Sequence, residues 1–135
     1  MPIFYYLDTS AMAKLYHTEA GTSYMDWLAA LPEVRFVASP IAFVEFESVS
    51  ALKERSKQAP AGEAEKARRR LRADVASGLI RGTGPLTEQH LGTVRRLIRR
   101  FGLGLGLRTL DAIHLAIAQE LNAAGTISIH SDRRS

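Results

Sequence analysis

Four carboxylates stand at the ends of apolar segments scattered along the chain: Asp8, Glu45, Asp111 and Asp132. Asp8 closes the strand-like run Ile3-Phe4-Tyr5-Tyr6-Leu7. Asp111 opens an amphipathic helix two residues after Thr109, and Asp132 follows a second strand-like run, Thr126-Ile127-Ser128-Ile129. Carboxylates gathered at strand ends and helix starts repel one another, and cations between them relieve that repulsion. The usual resident is a hard divalent metal, which takes oxygen ligands. An ion held this way polarises a phosphate and activates water for in-line attack. The pattern points to metal-dependent phosphodiester chemistry.

Each acid also has a plainer reading. Asp8 and Asp111 could simply complement a helix N-terminus. Thr9 and Ser10 can both cap the helix after Asp8, which argues that capping has no need of the aspartate. Glu45 shares helical spacing with Ile41, Val49 and Leu52 and is expected on a part-buried face, whereas Glu47, two residues on, points elsewhere. His114 lies one turn after Asp111 on the same face. A packed or hydrogen-bonding role is expected for it ahead of metal ligation.

The elements that must position these residues alternate between strand and helix. Residues 3–7 read as a buried parallel strand. Helices follow over about Ser10 to His17 and Gly21 to Leu31, the second ended by Pro32. Val34 to Ala38 reads as a second strand. Ser39-Pro40 then caps and opens a helix through about Arg55. Ser56 to Gly62 is a turn, and about Ala61 to Ser77 is a helix basic on one side. Leu79-Ile80-Arg81 is a short strand. Thr87 caps a helix to Phe101 that Gly102 stops, with Leu91, Val94, Leu97 and Ile98 as its apolar stripe. Thr109 to Ala124 forms the next helix, with Leu110, Ile113, Ile117 and Leu121 on one face, and Thr126 to His130 the last strand. Such alternation implies a parallel sheet covered on both faces, with ligands bound outside the carboxyl ends of the strands.

With 135 residues, one domain over 1–135 and one core are expected. The absence of cysteine excludes disulfides, zinc-thiolate sites and thiol catalysis, and is compatible with a cytoplasmic home. Neither a signal peptide nor a membrane span is expected. Lys and Arg number 18 against 14 acids; with the four candidates set apart, 10 acids remain. An acidic pocket in a basic surround suits an enzyme acting on a polyanion.

Leu7-Asp8-Thr9-Ser10, then Glu45 within a helix, then Arg108-Thr109-Leu110-Asp111-Ala112-Ile113-His114-Leu115-Ala116, then Ser131-Asp132 closely resemble the PIN-domain ribonucleases, and among them the VapC toxins of toxin–antitoxin pairs. The block around Asp111 is the most specific part, and order and spacing together carry the match. The resemblance implies a three-layer α/β/α sandwich with a central parallel sheet and Mg²⁺- or Mn²⁺-dependent endoribonuclease activity. It implies that Asp8 and Asp111 are the principal metal-binding acids, Glu45 the helix-borne acid, and Asp132 the fourth and more variable one. Ser10 matches a small hydroxyl residue beside the metal. An RNA substrate and an inhibitory antitoxin are implied as partners. Met12, Leu15, Tyr16, Trp27 and Leu28 are a candidate docking surface for that antitoxin. A homodimer is expected because a small domain gains by burying apolar helix faces. One departure is that the chain stops three residues after Asp132, where relatives usually continue with a helix and strand.

Other signals carry less. Gly102-Leu103-Gly104-Leu105-Gly106 follows a helix rather than a strand, so it reads as a flexible connector and not a phosphate loop. His17, His90, His114 and His130 lack zinc spacing. Arg68-Arg69-Arg70-Arg72 and Arg95-Arg96-Arg99-Arg100 could track RNA phosphates or be solvated helix faces. The competing function is a PIN-fold binding module with impaired catalysis that acts through a partner. A receiver-type phosphotransfer domain ranks far below, because Asp8 stands without an acidic neighbour and no Lys follows Lys66.

Overall fold

The first strand, β1 (Ile3–Leu7), alternates its side chains between two separate cores. In the computed structural model, which describes residues 2–123 and 128–129, Tyr5 and Leu7 pack to one side and Phe4 and Tyr6 to the other. β1 pairs in parallel with β2 (Val34–Ala38), Ile3 opposite Val34 and Leu7 opposite Ala38. β3 (Ile80–Gly82) adds to β2, and β4 (Ser128–Ile129) to the other side of β1, giving the all-parallel order β3-β2-β1-β4.

Helices cover both faces. α1 (Thr9–Tyr16), α2 (Thr22–Ala30), α3 (Pro40–Arg55) and α4 (Glu63–Ser77) enclose a core built on Met12, Leu28, Phe36, Phe46 and Leu71. α5 (Glu88–Leu105) and α6 (Thr109–Ala123) close the opposite face around Tyr6, Val37, Val94, Ala112 and Ile117. This is the expected α/β/α sandwich. The chain winds from β1 to β3 on one face and returns to β4 over the other. The crossover direction therefore reverses beside β1, and a crevice opens at its carboxyl end.

Several expectations need correction. The helix after Thr87 does not stop at Gly102. It runs on through Leu105, and Gly106 in the left-handed region (φ 66°) ends it. The glycine run is thus helical over most of its length and not a flexible connector; its backbone hydrogen bonds continue those of α5, with Gly106 N–H donating to Gly102 O at 3.0 Å. Leu52 and Leu110, assigned to buried faces, are 50% and 44% exposed. Met12, Leu15, Tyr16 and Leu28 are buried core residues, so of the candidate docking surface only Trp27 is exposed. Ala124 and most of Thr126 to His130 lie outside the described residues.

His17 ends α1 inside the first core, against the Phe46 ring, and its Nε2 stands 2.8 Å from the Ser50 hydroxyl. Burial first, and the nearby Lys53 ammonium next, hold its pKa below the usual 6.5, against the opposing pull of Glu19 and Glu63. The unfolded chain therefore takes up this proton more readily than the folded one. Stability from neutral His17 is complete above about pH 6.5 and declines as the pH falls below it. Thermal melts from pH 7.5 (about neutral) down to pH ~5 are expected to show that decline, and His17→Gln is expected to flatten it.

Candidate active site

Three helix N-termini meet at the carboxyl edge of the sheet: α1 and α3 start where β1 and β2 end, and α6, which leads into β4, runs back from that edge. Asp8 follows β1, Ser39 follows β2, and α6 begins at Thr109 on the opposite face. Between them lies an open cleft of about 640 Å³, lined by Asp8, Thr9, Ser10, Glu45, Asp111 and His114, with Arg108, Thr109 and Leu110 at one side. A larger hollow of about 820 Å³ opens at the α3–α4 turn, lined by Ala51, Glu54 and Pro60 among others, but it holds none of the candidate acids. Chemistry rather than size selects the smaller cleft.

Asp8 is itself the N-cap of α1: its Oδ1 accepts the Ala11 N–H at 2.8 Å. The expectation that Thr9 or Ser10 would cap is therefore overturned. Both lie inside the helix, where their hydroxyls are turned to other tasks. Ser10 Oγ accepts from the buried Lys14 ammonium one turn on, at 2.9 Å. Thr9 Oγ1 donates to Glu45 Oε1 at 2.5 Å.

Glu45 is the inward acid, as its spacing suggested, while Glu47 is exposed and pairs with Arg68. His114 Nε2 stands 3.0 Å from the same Glu45 Oε1 and 3.3 Å from Thr9 Oγ1, and its Nδ1 stands 2.7 Å from the Tyr6 hydroxyl. For a neutral imidazole this network is consistent with one tautomer. An ionised Glu45 can only accept, so Nε2 carries the proton and donates; Nδ1 is then an acceptor and takes the Tyr6 O–H. Burial, with Asp8 and Glu45 adding to it and a Ser39 hydrogen bond opposing it, pushes Tyr6 up to about 12, which keeps the phenol a donor. His114 is thus a hydrogen-bonded positioning residue, as expected of it.

Asp111 enters the cleft from the first turn of α6, whose start is marked by the Ala112 N–H donating to Arg108 O at 2.9 Å. Asp132 lies outside the described residues. Sequence reasoning gave no role to Tyr6, Lys14 or Arg108. Lys14 had a signal, its i+4 spacing from Ser10; Tyr6 had only its place in an alternating strand, which marks burial and not partnership.

The carboxylates in the cleft are hard oxygen donors, which suit a hard divalent cation such as Mg²⁺ or Mn²⁺. Among the described residues no three His, Asp or Glu side chains group closely enough to cage an ion. Magnesium keeps several waters and binds through one or two carboxylates, so two aspartates in an open cleft fit it. A family model described as PIN domain matches residues 5–134 of the chain. No curated protein matches it.

Tyr6→Phe removes the donor to His114 Nδ1 and leaves a buried acceptor unpaired. Urea unfolding is expected to show a loss of about 1–3 kcal/mol. An unchanged unfolding free energy would mean that His114 is satisfied from another side.

Proposed function

The chain belongs to the PIN-domain family, a nuclease fold, and from that premise we propose a metal-dependent endoribonuclease that hydrolyses RNA phosphodiester bonds. The observation that carries this reading is the convergence of Asp8, Glu45 and Asp111 on one open cleft from three separate elements. The side-chain network of Thr9, His114 and Tyr6 that holds Glu45 at this cleft supports the same reading.

Asp8 and Asp111 are the residues to hold a magnesium or manganese ion, with Asp132 as a further acid. When bound, such an ion supplies Lewis acidity at the scissile phosphate and a water of lowered pKa. The remaining work falls to the chain. Thr9 and His114 both occupy Glu45 Oε1, so its second oxygen is the one to orient the attacking water and take its proton. Arg108, on the cleft wall, offers a fixed positive charge to the phosphate as it gains negative charge in the transition state. Ser10, in the cleft lining, accepts from the Lys14 ammonium behind it.

The finer reading follows the motif resemblance. The protein is the toxin of a VapC-type pair, a homodimer in the cytoplasm, inhibited by a cognate antitoxin. No helix of the described residues is long and apolar enough to cross a membrane.

Chelation is expected to abolish cleavage of mixed RNA, and Mg²⁺ or Mn²⁺ to restore it; full activity in excess chelator would sink the metal mechanism. Asp8→Asn and Asp111→Asn are each expected to abolish cleavage with the fold kept. For Asp8 this holds because Asn caps a helix about as well as Asp, whereas Asp8→Ala adds a loss of about 0.5–2 kcal/mol. Glu47→Gln is expected to cleave like the unaltered chain. Expression of the unaltered chain alone is expected to arrest growth, and Asp111→Asn to relieve the arrest; arrest that survives Asp111→Asn would detach toxicity from this cleft.

A further inference from the structure

Two arginine-rich helices look alike in sequence but differ in how their charge is spent. On α4, Arg68 pairs with Glu47 and Glu65, Arg69 and Arg72 reach the same Glu65, and Arg70 donates to the carbonyls of Leu15 and Tyr16 that end α1. Arg68 and Arg70 tie α4 to α3 and α1, while Arg69 and Arg72 are balanced by Glu65 of their own helix.

On α5 the case is different. Arg95, Arg96, Arg99 and Arg100 are all exposed, and none forms an ion pair with a carboxylate among the described residues. Arg96 donates to Thr93 Oγ1 at 3.0 Å, and Arg100 stacks on the neighbouring Phe101 ring. At ~100° per residue the four arginines fall within one band, opposite the Val94 face that packs in the core. Glu88, in the first turn of α5 and so at the end far from the cleft, is the acid nearest this band in sequence. Four exposed cations left unneutralised on one helix face repel one another, a cost that a polyanion laid along them removes.

The band also leads to the cleft. From Arg95 to Leu105 the helix rises only ~15 Å. Gly106 and Leu107 then connect it to Arg108, which lines the cleft wall beside Asp111. We propose that the Arg95, Arg96, Arg99 and Arg100 face of α5, continued by Arg108, is the track that binds the RNA backbone on its way to the acids, and that the α4 cluster is structural. This rests on the ribonuclease reading and deepens it. The fully exposed Leu103, further along the same band, gives an apolar surface for an unstacked base between the arginines and Arg108.

The test separates binding from cleavage. A short fluorescein-labelled RNA of mixed sequence is titrated by anisotropy with chelator present, over a range of salt, against the full chain. Arg95→Gln/Arg99→Gln is expected to weaken binding about tenfold or more and to lower the salt slope by ~1.4, at ~0.7 per phosphate contact on a single strand. Arg95→Lys/Arg99→Lys keeps the charge and is expected to restore most of both. Arg69→Gln/Arg72→Gln removes the same charge from α4 and is expected to leave the slope nearly unchanged, and circular dichroism checks that each variant is folded. Equal slope changes from the α4 and α5 pairs would reduce the effect to net charge and overturn the track. An unchanged slope for the α5 pair, in a chain that still binds and cleaves RNA, would overturn it too and assign the stripe to an acidic protein surface. Failure of the unaltered chain to bind or cleave any RNA would instead overturn the ribonuclease reading.

Discussion

The parallel pairing of β1 with β2 sets the level at which everything at the cleft is built. Leu7 opposite Ala38 brings the two strand ends flush, so α1 and α3 start side by side from Asp8 and Ser39. That register is held by apolar side chains whose alternation assigns each to one of two cores, and a one-residue slip would exchange the faces. With the helix starts level, a residue in the first turn of α1 and one in the second turn of α3 can touch. The 2.5 Å contact between Thr9 and Glu45 is that consequence. The reversal of winding beside β1 then brings α6 to the same edge from the opposite face, and with it Asp111 and His114.

Carboxylates crowded at one edge have to be reconciled with each other before any ion arrives. Asp8 and Asp111 sit at or within the first turn of a helix, where the partial positive charge of unpaired N–H groups stabilises an anion. Glu45 lies one turn deeper in α3, and that effect fades beyond the first turn. Glu45 receives two side-chain donors, from Thr9 and His114. His114, backed by Tyr6, stabilises Glu45 by hydrogen bonding at a depth in the helix where the terminal N–H groups no longer reach. The same contacts set the division of labour at α1. With Asp8 serving as cap, the Thr9 hydroxyl is released to donate across to α3.

How much of this was legible in the sequence depended on the range of the interaction. Strand β2 and the Ser39-Pro40 helix start are local signals, and they were read to within a residue. Glu45 was separated from Glu47 by helical spacing alone, and both ended on the faces expected. Asp8 was passed over as the cap because three adjacent residues could each do that job locally. What decides among them is Glu45, 36 residues away, which gives Thr9 a better partner. Gly102 was read as a stop because glycine commonly follows a helix end, but Gly102 and Gly104 inside the helix cost only ~1 kcal/mol each against alanine. The left-handed Gly106 provides the later end, its N–H closing on Gly102 O. Tyr6 bonds to a residue 108 positions away, and no spacing rule reaches that far.

The two arginine clusters show where composition stops and placement begins. Counted by charge they are equal, and either could have faced a polyanion. The difference lies in the acids at helical spacing. Glu65 stands three, four and seven residues before Arg68, Arg69 and Arg72, and Glu47 of α3 meets Arg68 from the neighbouring helix. Each such pair on an exposed surface is worth little by itself, between 0 and about 1 kcal/mol, yet together they leave α4 with little net field to offer. α5 has no acid between Glu88 and its last turn, so its charge projects into solvent. A basic run therefore carries a meaning that its own residues do not contain: the carboxylates within one or two turns decide whether it holds the fold together or reaches outward.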